Sequence, residues 1–252
     1  MNDATNFFSA RNAVNRTTKD ERTKINGYLE VIKAFAKTTY NSIYVIDYEK
    51  NGFDYVADNP LFLCGYKPEE VKEMGYAFFN KHVTPADLRL LMKVNTAGFD
   101  FYERLPQNER KECTLSFDFH LQNGRGKTFL VNQKSTPIFF TNTGKLWKAL
   151  CVVSLSSART SGNVEIYHSV NDQTHRYDIE RNLWKIGKNI TLLERETEIL
   201  QFAARGYTNK EIAETLFLSE ETIKFHKSKL FKKLNVSNIS EAVVHAASHK
   251  LI

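Results

Sequence analysis

Cysteine is scarce in this chain, and the little there is forms no pattern. Cys64, Cys113 and Cys151 are its three cysteines. None stands at metal-ligand spacing, and an odd number argues against a disulfide framework. They read as reduced, packed thiols of a cytoplasmic protein. Long apolar runs are missing as well. No stretch approaches the ~18 apolar residues of a membrane span. The N-terminal MNDATNFFSARNAVNRTTKDERTK has no apolar core of a signal peptide. The expected location is therefore the cytoplasm, away from membranes. Catalytic constellations are lacking too. No nucleophile–base pattern, metal cluster or phosphate loop stands out, and Gly124-x-Gly126 reads as a hairpin turn rather than a nucleotide fingerprint. No enzyme is expected, and no cofactor is named.

What is present suits a globular protein. At 252 residues the chain has room for two modest domains, and 42% hydrophobic with 25% charged residues is enough to build a core. The formal charge of +6 is compatible with nucleic acid without requiring it.

The most informative stretch is the last sixty or so residues, where four short helical patterns follow one another. Thr191 and Glu194 stand at capping-box spacing before an apolar run, and Leu192, Ile199, Leu200, Phe202 and Ala203 recur at helical spacing until Gly206 stops the helix. A second helix is predicted over 208–216, and Ser219 is a good N-cap for a third. On that third helix Ile223, Leu230 and Leu234 form a buried stripe, with Glu221, Lys224, Phe225, Ser228 and Lys232 opposite. Between Thr222 and Leu234 there are five lysines and no acid. A short-turned helix pair whose second member has a basic outer face fits a helix-turn-helix laid in the major groove of DNA. A merely solvated lysine-rich helix is the plainer reading of the same pattern.

The segments LLERETEIL from Leu192, GYTNKEIAETL from Gly206 and SEETIKFHKSKLFKKL from Ser219 resemble, in order, the DNA-binding domain of LuxR/GerE-type transcription regulators. Leu193 departs from the family's usual Thr, so Thr191 is expected to take over the cap. The resemblance implies that Lys224, Phe225 and Ser228 contact base edges. A lysine reaches guanine acceptors, a phenylalanine packs on a thymine methyl, and a serine bonds either way. It further implies phosphate contacts from Thr222, Lys227, Asn209, Lys210 and Lys233, which position without specifying. His226 reads as a packing residue. In the family the last helix tends to pair two subunits. Here its stripe of Ala242, Val243, Ala246 and Leu251 also has a three-helix core to cover.

Earlier in the chain, residues 1–39 are expected to be a polar tail and an amphipathic helix. That helix starts at Asp20 and carries Ile25, Leu29, Ile32 and Ala36 on one face. Strands are predicted over 42–47 and 53–57 across the Asn51-Gly52 turn. Short helices follow, then one from Pro85 towards Phe101. Residues 113–121 alternate strictly, which predicts one buried and one wet face, and two more long strands follow over 127–140 and 146–155. This order, with Asn59-x5-Gly65-Tyr66-x2-Glu69-Glu70 and His82-Val-Thr-Pro85-Ala-Asp87, resembles a PAS domain over 40–157. The acyl-homoserine-lactone-binding domain of other LuxR proteins is the alternative fold, but its aromatic and acidic pattern has no match. Phe62, Phe79, Met92 and Phe117 line a pocket in this reading or fill a closed core. His82 and His120 read as surface or capping residues. Residues 158–188 are expected to be a linker carrying a hairpin, with Trp184 docked on one domain, and residues 189–252 the DNA-binding domain.

The expected class is α+β: a PAS-like antiparallel sheet with helices, followed by an all-α four-helix helix-turn-helix domain. The expected function is a sequence-specific, homodimeric regulator binding double-stranded DNA, controlled by a small-molecule ligand or partner protein at the PAS-like domain. The alternative is a signalling adaptor or small-ligand-binding protein whose basic helix contacts protein.

Overall fold

The computed structural model describes residues 12, 14, 16–169, 173–187, 190–249 and 251–252. The tail before Asn12 and the turn expected at Asn171–Asp172 lie outside the described residues. The chain forms two compact units, Met1–Gly187 and Lys188–Ile252.

In the first unit, strands β1 (Ser42–Asp47) and β2 (Gly52–Val56) form the expected hairpin. Helices α3 (Pro60–Leu63), α4 (Pro68–Met74), α5 (Ala77–His82) and α6 (Pro85–Arg104) follow. Three of the chain's five prolines open α3, α4 and α6, where the missing N–H is one the helix leaves unpaired anyway. Strands β3 (Cys113–Gln122), β4 (Thr128–Phe140) and β5 (Leu146–Leu155) complete the order strand, strand, helices, three long strands. All pairings are antiparallel, and the helices and one sheet face enclose a core rich in phenylalanine and tyrosine.

The sheet does not end there. Strands β6 (Gly162–His168), β7 (Thr174–Asp178) and β8 (Leu183–Gly187) continue it, so that the order across is β2-β1-β5-β4-β3-β6-β7-β8. Segment 158–188 is thus largely sheet. Trp184 docks inside this unit, its indole Nε1–H donating to the Ala97 carbonyl at 3.3 Å and its ring 5.1 Å from Phe101.

In this unit two sequence expectations need correction. The first amphipathic helix is two helices, α1 (Lys19–Lys24) and α2 (Tyr28–Ala36), capped by Thr18 rather than Asp20 and broken at Gly27, whose φ of +84° is left-handed. The predicted stripe Ile25, Leu29, Ile32 and Ala36 is nonetheless half-buried. The wet face expected on β3 is closed at Ser116 and Asp118, both 4% exposed. The Asn132 amide donates to Ser116 Oγ and Asp118 Oδ1, each at 3.1 Å, and Asn163 donates to Asp118 Oδ2 at 2.9 Å. These partners come from neighbouring strands β4 and β6, so alternation within β3 gives no sign of them.

The chain before α2 lies on β1, β5 and their connecting turns. Asn12 exchanges two hydrogen bonds with the Leu146 backbone, and Glu49 accepts from Thr17 and Arg22. Further on, the ammonium of Lys148 sits 2.7 Å from Asp47 and 2.8 Å from Asp54, and Asp54 also accepts from the Tyr28 hydroxyl. This cover is why all six residues of β1 are buried. His82 caps the Gln122 carbonyl through Nδ1, and His120 pairs with Asp87 at the start of α6. Cys64, Cys113 and Cys151 are free and buried, and burial first of all pushes each thiol up to about 12.

The second unit has helices α7 (Glu194–Ala204), α8 (Asn209–Leu216), α9 (Glu220–Leu234) and α10 (Ile239–Ser248). One apolar cluster joins Leu200, Leu230, Leu234, Ala242 and Ala246, and another joins Ile199, Ile212, Ala213 and Ile223. Ala242 and Ala246 are completely buried within the unit, so the small-residue stripe of the last helix covers the helical core. The start of α7 is two residues later than the sequence suggested. Its N-cap is Leu193, whose N–H donates to Glu196 Oε2 at 2.8 Å. The carboxylate reaches back because Lys233 holds it there.

Candidate nucleic-acid interface

Helix α9 carries the candidate interface. Its inner face is fixed by Ile223, Leu230 and Leu234, at 0%, 0% and 2% exposure. Its start is fixed by Ser219, whose Oγ accepts the Thr222 N–H at 3.1 Å, and Glu220 and Glu221 lie in the first turn. That anchoring leaves Lys224, Phe225, Ser228, Lys229 and Lys232 exposed along one side. Helix α8 ends at Phe217, itself in the left-handed region at φ +55°. The turn is therefore short, and α8 and α9 form a helix-turn-helix.

The structure brings the three expected base readers, Lys224, Phe225 and Ser228, onto that one exposed face. The expected phosphate contacts divide. Lys210 is exposed at the start of α8. The Thr222 hydroxyl is within 2.9 Å of Ser219 Oγ, as part of the cap. Lys227 donates to Asn209 Oδ1 at 2.6 Å, tying α9 to the first turn of α8. Burial holds the Lys227 ammonium below its ordinary pKa. Lys233 is the clear departure, because its ammonium lies 2.6 Å from Glu196 Oε2, a side chain only 6% exposed. Burial raises the Glu196 carboxyl, but the Lys233 and Leu193 hydrogen bonds and the Lys233 and His226 charges together bring it below its ordinary range. Lys233 thus works inside the unit, joining the start of α7 to the end of α9. His226 is half-buried.

This pairing has a measurable consequence. Lys233→Ala is expected to destabilise the second unit by about 1.5–3 kcal/mol, the worth of a hydrogen bond to a charged group. Thermal unfolding followed by helical circular dichroism checks it. The salt dependence of DNA binding should stay as in the parent chain. A slope shallower by about one would return Lys233 to the phosphate contacts.

Sequence reasoning passed over Lys229. Its ammonium lies 4.4 Å from the centroid of the Phe225 ring, and the i,i+4 spacing of the two was the available signal.

In the first unit, two adjoining voids of about 20 and 30 Å³ lie between α6 and the sheet. Each has room for about one or two water molecules. Of the four residues that line a pocket or fill a core in the sequence reading, Phe79 and Phe117 lie beside these voids, and Phe62 and Met92 do not. Phe62 is wholly buried and stacks on Tyr44 at 4.4 Å, and Met92 is half-buried against the core. The lining that sequence did not reveal is polar but uncharged: Tyr44, Tyr48, Asn95, Tyr102, Gln133 and Ser135. The Tyr44 hydroxyl donates to Gln133 Oε1 at 2.5 Å.

Residues 191–246 match the family described as bacterial regulatory proteins, luxR family. The oxygen regulatory protein NreC of Staphylococcus carnosus is 48% identical over 61 residues, which make up 24% of this chain and 28% of that protein. The structure of the transcription factor GerE is 34% identical over 25% of this chain and 94% of that one, with a TM-score of 0.24. A VqmA dimer of Vibrio cholerae, solved in the absence of its target DNA, aligns over 88% of each chain at 16% identity and a TM-score of 0.35. The chain spans less than a third of the curated relatives it matches, 30% and 28% for two of them. The strong identity and the exposed basic face fall on the same four helices. Residues 191–246, within the C-terminal unit, form a domain of the luxR family of bacterial regulatory proteins.

Proposed function

We propose that the whole chain is a cytoplasmic, homodimeric transcription regulator that reads double-stranded DNA through α9 and is controlled at its PAS-like unit. The observation that carries this reading is the outer face of α9. Lys224, Ser228, Lys229 and Lys232 surround an exposed Phe225, while the opposite face is consumed by the core. No helix among the described residues is long and apolar enough to cross a membrane. A homodimer would present two such faces to half-sites about one helical turn of DNA apart.

The test uses the full-length chain. Duplexes selected from a random pool would be compared with scrambled ones by fluorescence anisotropy across salt concentrations. Selective binding at least about a thousandfold tighter is expected, with a steep fall as salt rises. Equal binding of all duplexes would instead favour an adaptor whose basic helix meets protein.

For control, the uncharged polar lining of the first unit's voids favours an uncharged small molecule over an ionic one. The voids would have to widen to admit it. Native mass spectrometry of the chain purified from cells is expected to show a mass excess that denaturation removes. A clean apo dimer would turn the reading towards a partner protein.

A further inference from the structure

We propose that Lys229 is a positioning residue for base reading, holding the Phe225 ring so that its uncovered side reads the methyl group of a thymine. The inference rests on the reading of α9 as the DNA-facing helix. It concerns a residue outside the set that the family resemblance marks for base contact.

Two observations carry it. Phe225 is 55% exposed and stands amid the basic face, beside Lys224 and one turn before Ser228. No apolar side chain of the core covers it, although Ile223, Leu230 and Leu234 of the same helix are buried. Lys229 lies one turn along, its ammonium over that ring at 4.4 Å. Among the described residues no carboxylate pairs with Lys229, so the ring is the partner that places its charge.

The geometry has a chemical consequence. An exposed phenylalanine on a helix exchanges rotamers quickly. A cation over one face favours the rotamer that keeps the ring beneath it, because the ring's negative face attracts the charge. The covered face is then taken, and the open face and edge remain for the groove. In the major groove the thymine C5-methyl is the apolar group that distinguishes A·T from G·C pairs. The ammonium, held beside that apolar contact, is placed for a neighbouring phosphate. Lys229 would thus act on specificity through Phe225, and on affinity directly.

Deoxyuridine supplies the probe, since it is thymine without the C5-methyl. The full-length chain first selects its preferred duplex. Each thymine in turn is then replaced by deoxyuridine, and binding is measured for the parent, Phe225→Ala, Lys229→Gln and Lys229→Arg. At one thymine the parent should lose about fourfold in affinity, the worth of one buried methyl-sized group. Phe225→Ala should lose that penalty. Lys229→Gln should lose most of it as well as weakening binding overall, and Lys229→Arg should restore it. Circular dichroism should show all variants equally helical, since both side chains are exposed. If Lys229→Gln weakens thymine and deoxyuridine duplexes by the same factor, Lys229 is only a phosphate contact and the proposal fails. It fails also if no thymine in the parent's site shows a penalty. If no duplex is selected at all, the DNA-reading assignment of α9 fails first, a separate and recognisable result.

Discussion

Lys224→Glu is expected to abolish selective duplex binding while leaving both units folded. Lys224 is exposed and makes no ion pair among the described residues, so its loss removes no support from the core. On DNA the change acts twice. A lost base contact costs about 1–3 kcal/mol, and a carboxylate set against phosphates adds several kcal/mol of like-charge repulsion. Together these bring the preferred duplex down to the level of scrambled DNA, a fall of at least about a thousandfold. Anisotropy with the two duplexes measures it, and unchanged thermal midpoints show that the fold is intact. Selective binding that survives the charge reversal would remove α9 from the groove.

The second large effect lies in the first unit. Lys148→Met is expected to destabilise it by about 3–5 kcal/mol, because it leaves buried Asp47 and half-buried Asp54 with only the exposed Lys50 ammonium, at 3.6 and 3.3 Å, as a cation. Asp54 shows how tight the arrangement is. Burial alone would raise its carboxyl, yet hydrogen bonds from Lys148 and Tyr28 and the charges of Lys148 and Lys50 bring it down to about 2. A carboxyl lowered on folding stabilises above its unfolded pKa, and that contribution is lost as pH falls through the folded value. In the parent chain this contribution therefore fades below about pH 4 and is gone near pH 2. In Lys148→Met the sign reverses. Without Lys148, burial weighs more heavily against the charged Asp54 carboxylate, and mild acid, by protonating it, should recover part of the lost stability. Denaturant midpoints at pH 7 and pH 5 test this. A variant no less stable than the parent at pH 7 would show that the cluster contributes only positional order.

What could be read from the chain, and what could not, follows from distance along it. The helices of the second unit were legible because their signals are local. Ser219 caps Thr222 three residues on, and Ile223, Leu230 and Leu234 repeat at helical spacing. The exposure of Lys224, Phe225 and Ser228 followed from that same stripe. The pairing of Lys233 could not be read locally because its partner, Glu196, is 37 residues away. Glu196 also explains the shifted start of α7, so a single long-range pair displaced two expectations. The polar face of β3 was misread for a related reason, since Asn132 and Asn163 reach it from other strands. The lining of the voids stayed hidden because Tyr44, Asn95 and Gln133 come from three separate elements. Phe225 and Lys229 stand at the opposite extreme, a contact visible in the spacing and overlooked only because an i,i+4 pair usually matters little.

The placement of the buried thiols gives the molecule a built-in reporter. All three cysteines, and both tryptophans, Trp147 and Trp184, belong to the first unit. Thiols held near pKa 12 by burial, Cys64 at the end of α3 and Cys113 and Cys151 on strands, react with maleimide only when the first unit opens. Labelling rate and indole fluorescence therefore follow the first unit alone, while the second is silent to both. Adding a candidate effector and timing the label would then measure directly whether it closes the first unit, with no need to engineer a probe or to know the DNA site.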